Sequence, residues 1–321
     1  MEKKVHYKSY KSGKFWVAAL ISVSLGTVGV ITIPQIFDAV PVYADSSPTD
    51  VTVMVRPNEL TKYFGLFGVA KVLTNSPDGQ PAKGVQVELT PNVASKTGSV
   101  ALLTKIDMTQ SFTLKGRLYL GRNGFGADGV AFGFADAEPG KMGQSGNAFG
   151  IGGLPRSFGV KFDEYYNGTG DGVAGPDLGT KNDYPQMRLV QTSDDQVGKV
   201  TSVDGNKGEV YETLPKPNGT FSDLVIVYNG ENNQMTITYG GNKTISFDAK
   251  PYIKNSQLAM FLTGSTGGSF NQHVFDFESF EYTPGLRAVK ADLKNRLAIE
   301  ADTQKTAVNA DPTLTAKERQ D

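Results

Sequence analysis

Between Val51 and Tyr282 the chain is written in short runs with alternating side-chain character, and these runs are broken by glycine, asparagine, aspartate or proline. Val85-Gln-Val-Glu-Leu89, Ser111-Phe-Thr-Leu-Lys115, Leu224-Val-Ile-Val-Tyr228, Met235-Thr-Ile-Thr-Tyr239 and Val274-Phe-Asp-Phe-Glu278 are examples. A period of two sends successive side chains to opposite faces, so such runs read as strands of an antiparallel sheet. Tyr228-Asn-Gly-Glu-Asn-Asn-Gln234 and Tyr239-Gly-Gly-Asn-Lys243 fit hairpin connections, which predicts a meander near residues 223 to 248. Glycine supplies 37 of the 321 residues without a collagen-like period, a turn-rich composition that suits many short strands. With no helices between them, these strands imply an all-β body built as a two-sheet sandwich.

After Pro284-Gly285 the pattern changes. Leu286, Val289, Leu293 and Leu297 recur at steps of three and four among charged residues, the signature of an amphipathic helix. A second polar stretch, Asn309 to Arg319, has Thr315 ahead of a helix-forming run and resembles the opening of helical stalk repeats on Gram-positive surface proteins. The expected tail is therefore helical over 285–321, with further stalk and wall-anchoring regions beyond this chain.

The other end is a leader. Five lysines lie within residues 1–14, residues 15–37 carry no charge, and Val42-Tyr43-Ala44 forms a small-residue cleavage site before Asp45. That order is a secretory signal peptide over 1–44, although an uncharged stretch of this length could also serve as a membrane anchor. Lys8, Tyr10, Lys11, Gly13, Lys14 and Trp16 also fit every fixed position of the KxYKxGKxW signal peptide, a resemblance that implies export from a Gram-positive cell to its wall or surface. Removing the leader takes away five lysines and two acids, leaving 27 basic and 31 acidic residues, so a polyanion-binding role is not indicated. The chain has no cysteine, which excludes disulfides, thiolate metal sites and a cysteine nucleophile. Once His6 leaves with the leader, His273 is the remaining histidine, too few for a histidine metal cluster and the sole possible base of a Ser-His-Asp triad.

Three segments could carry chemistry. In Gly124-Phe-Gly-Ala127-Asp128-Gly129-Val-Ala-Phe132, Asp128 stands at the mouth of a strand, where it could cap a turn or accept from a ligand. In Phe158-Gly-Val-Lys-Phe162-Asp163-Glu164-Tyr165-Tyr166-Asn167, Asp163 and Asn167 can offer side-chain oxygens with the Tyr165 carbonyl between them. One more carboxylate from the following loop, which holds Asp171, Asp177 and Asp183, would complete a hard-oxygen calcium site. The third segment, Ala259 to Tyr282, is a strand, a Gly/Ser loop and a returning strand, able to present donors to a ligand or simply to form a hairpin.

In this order and spacing, the three segments resemble the legume-type (L-type) lectin family, in particular the lectin modules of bacterial adhesins. The resemblance runs from about Asn58 to Tyr282 and is carried by Ala127-Asp-Gly-Val-Ala-Phe, Phe149-Gly-Ile-Gly-Gly-Leu154, Phe158-Gly-Val-Lys-Phe-Asp163 and Thr263-Gly-Ser-Thr-Gly before Val274-Phe-Asp-Phe. It implies a concanavalin A-like jelly-roll sandwich over residues 58–284, preceded by a short lead-in at 45–57. It further implies that Asp128, after a cis peptide, accepts two sugar hydroxyls. Asn167 would ligate calcium and donate to the same sugar, and Tyr165 would give its carbonyl to calcium and its ring to the pyranose. Gly146 would contribute a backbone amide, with Gly268 contacting the sugar from the third segment. Asp163 carries over as a calcium ligand and Asp183 as the distal one, with Asp177 its competitor.

Plant members of the family place a glutamate two residues before the calcium aspartate and a histidine beyond it, completing a transition-metal site. Lys161 stands at the glutamate position and no histidine lies between residues 7 and 272, so calcium without manganese is expected. The implied function is calcium-dependent recognition of glycans or glycoproteins on host or neighbouring cells, without catalysis. A glycoside hydrolase of the same jelly-roll superfamily is the enzymatic alternative, with Asp276 and Glu278 as the pair to weigh; a solvated outer face is the expected role for both. A spacer domain that has lost its ligand is the structural alternative, against which stands the joint presence of Asp128, Tyr165 and Asn167.

Overall fold

The computed structural model describes residues 10–12, 15–17, 52–203, 210–284, 301–303, 305, 306, 309 and 310. The chain divides into two units, residues 1–50 and 51–321. In the first, β1 (Tyr10–Ser12) and β2 (Phe15–Val17) form an antiparallel pair.

The second unit carries two large sheets. One, nine-stranded among the described residues, runs in the order β13 (Val200–Ser202), β12 (Gln186–Thr192), β11 (Phe158–Asp163), β10 (Gly129–Ala135), β18 (Gln257–Ser265), β7 (Thr97–Leu102), β4 (Phe64–Gly68). β14 (Tyr211–Thr213) pairs with β12, and β8 (Ile106–Asp107) with β18. The other, eight-stranded, runs β17 (Lys243–Asp248), β16 (Gln234–Tyr239), β15 (Phe221–Asn229), β9 (Phe112–Tyr119), β19 (His273–Tyr282), β6 (Val85–Thr90), β5 (Lys71–Val72), with β3 (Val53–Val55) beside β19. The pairings within these sheets are antiparallel, and neighbours distant in sequence alternate, as in a jelly roll. The meander anticipated near 223–248 is β15-β16-β17.

A single apolar core joins the sheets. Phe132, Phe134, Phe158 and Phe162 of the nine-stranded sheet are in one cluster with Phe112, Ile226, Ile237, Phe275, Phe277 and Phe280 of the other. Side chains of this size contribute roughly 1.5–3 kcal/mol each when buried. The sheets differ on their outer faces. β16 alternates half-buried with buried residues, leaving one face to solvent. All seven residues of β10 and all six of β11 are buried, because the segment 136–157 folds over the outer face of the nine-stranded sheet. Its Ala148, Phe149, Ile151 and Leu154 form a second cluster with Ala101, Ala131, Val190 and Phe261.

Helix is scarce. The described positions from 301 to 310 are helical and exposed, within the tail expected to be helical. The apolar positions Leu286, Val289, Leu293 and Leu297 and the stretch from Asp311 onward lie outside the described residues.

Candidate functional site

Three neighbouring strands end on one row. Asp163, the last residue of β11, faces Gly129, the first residue of β10, and Gly129 faces Ser265 at the end of β18. The connections that leave or cover this row carry the residues expected to touch a sugar or an ion: Asp128 before β10, Gly146 in the 136–157 segment, Tyr165, Asn167 and Asp183 after β11, and Gly268 after β18.

Asp128 is fixed by its backbone. The Ala127–Asp128 peptide is cis, the Asp128 N–H donates to the Ser265 carbonyl at 3.1 Å, and its carbonyl accepts from the Glu164 N–H at 2.9 Å. Its side chain stands at the mouth of the strand but only 4% of the residue is exposed, and Oδ2 has no hydrogen-bond partner in the protein. Burial pushes its pKa up to about 7; the nearby His273 opposes the rise, Glu164 and Asp177 add to it, and the Gly267 amide opposes it. A Cβ at Gly267 would stand 2.9 Å from Asp128 Oδ2 and 3.6 Å from the Gly146 Cα, so a side chain at Gly267 would crowd the Asp128 carboxylate. Gly146, at φ +69°, opens a 3-10 turn whose first carbonyl accepts from Ser265 Oγ at 2.9 Å. Gly146 and Gly268 both border open space.

The loop after β11 is built on a buried ion cluster. Lys161 Nζ lies 2.6 Å from Asp163 Oδ2 and 2.6 Å from Asp177 Oδ1. Asp163 Oδ1 accepts the Tyr165 N–H at 3.1 Å, and Asp177 Oδ2 accepts the Asn167 N–H at 2.7 Å. The structure thus sets Asp177 beside Asp163. Asp183 instead caps its own 3-10 turn, accepting the Thr180 N–H at 2.6 Å and the Thr180 hydroxyl at 3.0 Å, contacts that hold its pKa below the ordinary carboxylate value. The Tyr165 ring is exposed, whereas Asn167 Oδ1 is buried without a partner. Burial drives the Asp163 pKa up to about 8 against the pull of Lys161, with the Asp177 charge adding to the rise. Among the described residues no three His, Cys, Asp or Glu side chains converge as metal ligands. An ion here would rest on two carboxylates, the Asn167 amide oxygen and a backbone carbonyl, a donor set that suits a hard cation such as calcium.

His273, considered above as the base of a triad, is fully buried and its two ring nitrogens meet Thr90 Oγ1 at 2.6 Å and Glu164 Oε1 at 2.8 Å, with no serine between. Glu164 Oε2 accepts from Asn271 Nδ2 at 2.6 Å, and Asn271 also holds the Asn123 carbonyl and N–H. This clamp ties together the three loops around Asp128. Sequence reasoning does not single out Glu164, Gly267 or Asn271 as site residues; the signal for Asn271 is its place in the polar Gly/Ser loop.

The glycosidase pair is differently placed from expectation. Asp276 is fully buried rather than solvated, its carboxylate filled by the Lys83 and Gly84 amides at 3.0 and 2.9 Å and by the Arg117 guanidinium. Glu278 is partly exposed, 4.0 Å from Lys83. Asp276 has no free oxygen for acid–base work.

Comparisons with known proteins bear on the family and the fold. The legume lectin beta-barrel domain family matches residues 55–279 and the KxYKxGKxW signal peptide family matches residues 2–39. The serine-rich adhesin for platelets of Staphylococcus aureus strain MRSA252 is 32% identical over 256 residues, covering 74% of this chain and 18% of the adhesin. Its counterpart from strain MW2 is 32% identical over 250 residues, covering 72% and 10%. The chain therefore spans less than a fifth of the length of these curated relatives. Among solved structures, basic winged bean lectin with Tn-antigen superposes with a TM-score of 0.52 at 17% identity, over 73% of this chain and 99% of that one. Peanut lectin with a 9mer peptide superposes at 0.50 and 19% identity, over 72% and 97%. No described helix is long and apolar enough to cross a membrane. The leader match and the adhesin relatives place the protein as a secreted, cell-surface product of a Gram-positive bacterium, and the lectin family match together with those relatives points to a non-enzymatic module. The chain belongs to the L-type lectin family, as the lectin-type module of a surface adhesin.

Proposed function

We propose that this module binds glycans or glycoproteins on host or neighbouring cells through Asp128, and that calcium holds the loop that completes the site. The carrying observation is the Asp128 carboxylate, buried, with Oδ2 unpaired, and bordered by Gly146, Gly267 and the open space at Gly268. A neutral sugar offers many weak hydroxyls, so recognition draws on a rigid acceptor, amide donors and a stacking surface already in place. Asp128 supplies the acceptor, Gly146 and Gly268 exposed backbone, Asn167 an amide, and the exposed Tyr165 ring an apolar platform.

Asp163, Asp177, Asn167 Oδ1 and the Tyr165 carbonyl would hold the ion; Asp177 takes the distal place in this proposal because Asp183 is committed to Thr180. When bound, calcium supplies charge that offsets the two buried carboxylates and rigidity for the loop. In domain terms, the leader 1–44 is removed, the module runs from 58 to 284 after the lead-in, and 285–321 begins a stalk. Asp128→Asn tests the sugar site. It keeps the shape but turns one acceptor oxygen into a donor and removes the charge, so glycan affinity should fall at least tenfold, about 1.4 kcal/mol. Undiminished binding by a correctly folded variant would remove the site from Asp128.

A further inference from the structure

We propose that Phe125 and Phe270 form a second carbohydrate platform beside Asp128, so that the module takes a chain of two or more pyranose rings rather than a single sugar. The inference rests on the proposed glycan site at Asp128 and extends it by a further aromatic surface.

Among the described side chains, the most exposed aromatic residues are Phe125, Tyr165 and Phe270, at 76%, 42% and 37%. A lone exposed ring calls for no explanation, but these three gather round one buried clamp. Tyr165 follows Glu164, Phe270 precedes Asn271, and Phe125 lies two residues after Asn123. Asn271 Nδ2 donates to Glu164 Oε2 at 2.6 Å and to the Asn123 carbonyl at 2.9 Å, so a single side chain joins the three loops that carry the rings. Exposed aromatic surface is thereby concentrated around Asp128, whose carbonyl accepts the Glu164 N–H.

Phe125 is held in place as well as exposed. Its N–H donates to Asn123 Oδ1 at 3.0 Å and the Gly126 N–H donates to the Asn123 carbonyl at 2.9 Å, a tight turn with the phenylalanine at its tip. Asn271 Oδ1 accepts the Asn123 N–H at 3.2 Å, which fastens the turn to the loop that carries Phe270. A Cβ at Gly126 would lie 2.1 Å from Asn271 Nδ2, so the turn sits directly on the clamp. The Lys216 ammonium lies 4.3 Å from the centre of the Phe125 ring, and the residue keeps its exposure with the lysine there. Three residue steps separate Phe125 from Asp128, at most about 11 Å of chain. Phe270 stands three residues beyond Gly267, where a Cβ would crowd Asp128 Oδ2. A pyranose turns a face of apolar C–H groups outward, and a ring already fixed in place covers such a face with little loss of side-chain freedom. A first sugar held by Asp128 and Tyr165 leaves the next sugar of its chain within reach of Phe125 and Phe270.

The test screens the secreted chain on an array of mono- to pentasaccharides in calcium, then measures by calorimetry its affinity for the tightest-bound array glycan and for the methyl glycoside of that glycan's terminal sugar. Array signals should fall on glycans of two rings or more, and the methyl glycoside should bind about fivefold or more below the whole glycan. Phe125→Ala should melt with the parent, because its ring is exposed, and should bind the array glycan about fivefold more weakly with its affinity for the methyl glycoside unchanged. Phe125→Tyr keeps the ring and should bind both probes as the parent does. Adding Phe270→Ala to Phe125→Ala should weaken the array glycan further. A methyl glycoside that binds as tightly as the whole glycan overturns the proposal, as does parent-like binding of the array glycan by Phe125→Ala. If Asp128→Asn loses both probes while Phe125→Ala loses neither, the Asp128 site stands and the second platform falls. A folded parent that binds no array glycan overturns the glycan reading and this proposal with it.

Discussion

Burial raises the Asp128 pKa to about 7 from the usual carboxylate value of 3.8, so the folded protein holds that proton more tightly than the unfolded chain does. Stability from the protonated acid is fully present below about pH 4 and is lost as pH rises through about 7. Above that range the protein carries a buried charge with one unpaired oxygen, an arrangement that makes sense if a ligand supplies the missing donors. Asp128→Asn cannot ionise, so it should melt above the parent at pH 8, by a margin that shrinks toward pH 4 in calorimetry; a variant that melts lower at pH 8 would contradict this account. Sequence made Asp128, Asp163 and Asn167 legible because each sits at a fixed offset from a strand. For the distal ligand it ranks Asp183 ahead of Asp177, in a loop whose glycines at 168, 170, 172, 175 and 179 set no distance by spacing. The proposed change to Asp177 follows from Lys161, whose ammonium reaches Asp177, while Thr180 engages Asp183. Glu164 and His273, 109 residues apart, meet only through the fold.

The elements were readable in proportion to how much of them meets water. The meander β15 to β17 keeps a polar outer face, so its period of two survives in the sequence. β10 and β11 are covered on both sides, and there Ala131, Gly133 and Gly159 replace polar residues beneath the 136–157 segment. At Gly159 a Cβ would come within 2.2 Å of the Phe132 carbonyl, so close strand packing, not turn formation, explains that glycine. The three loops around Asp128 have no regular structure, and their order comes from Asn271, which bonds Glu164 and both the carbonyl and the amide of Asn123. Asn271→Ala should cost about 2–4 kcal/mol, since it strands a buried carboxylate oxygen and loses several bonds. Hydrogen exchange should then quicken at residues 121–127 while the β15 to β17 ladder stays protected. Unchanged exchange in the 121–127 loop would show that something other than Asn271 holds it.

At the scale of the molecule, the chain opens on a matched leader and spans less than a fifth of the length of the adhesins it is similar to. The expected cleavage after Ala44 predicts that exported protein begins at Asp45, and N-terminal sequencing that returns Met1 or a start inside the apolar run would contradict it. The two-sheet sandwich was legible because turn-broken runs leave little other choice, and the family because its motifs fall in order along the chain. The identity of the proposed glycan is not legible in the sequence, since the loops at 168–183 and 264–271 that would select it form no repeating pattern. In the proposed function, Asp128 and a calcium-held loop make one glycan site. A glycan-array screen of the secreted chain, run in calcium and again in chelator beside Asp128→Asn, puts both parts to the test. A defined set of glycans should bind in calcium and be lost both in chelator and in the variant; glycan binding that survives both treatments, or no glycan binding by the folded protein in calcium, would show that the site is not built this way.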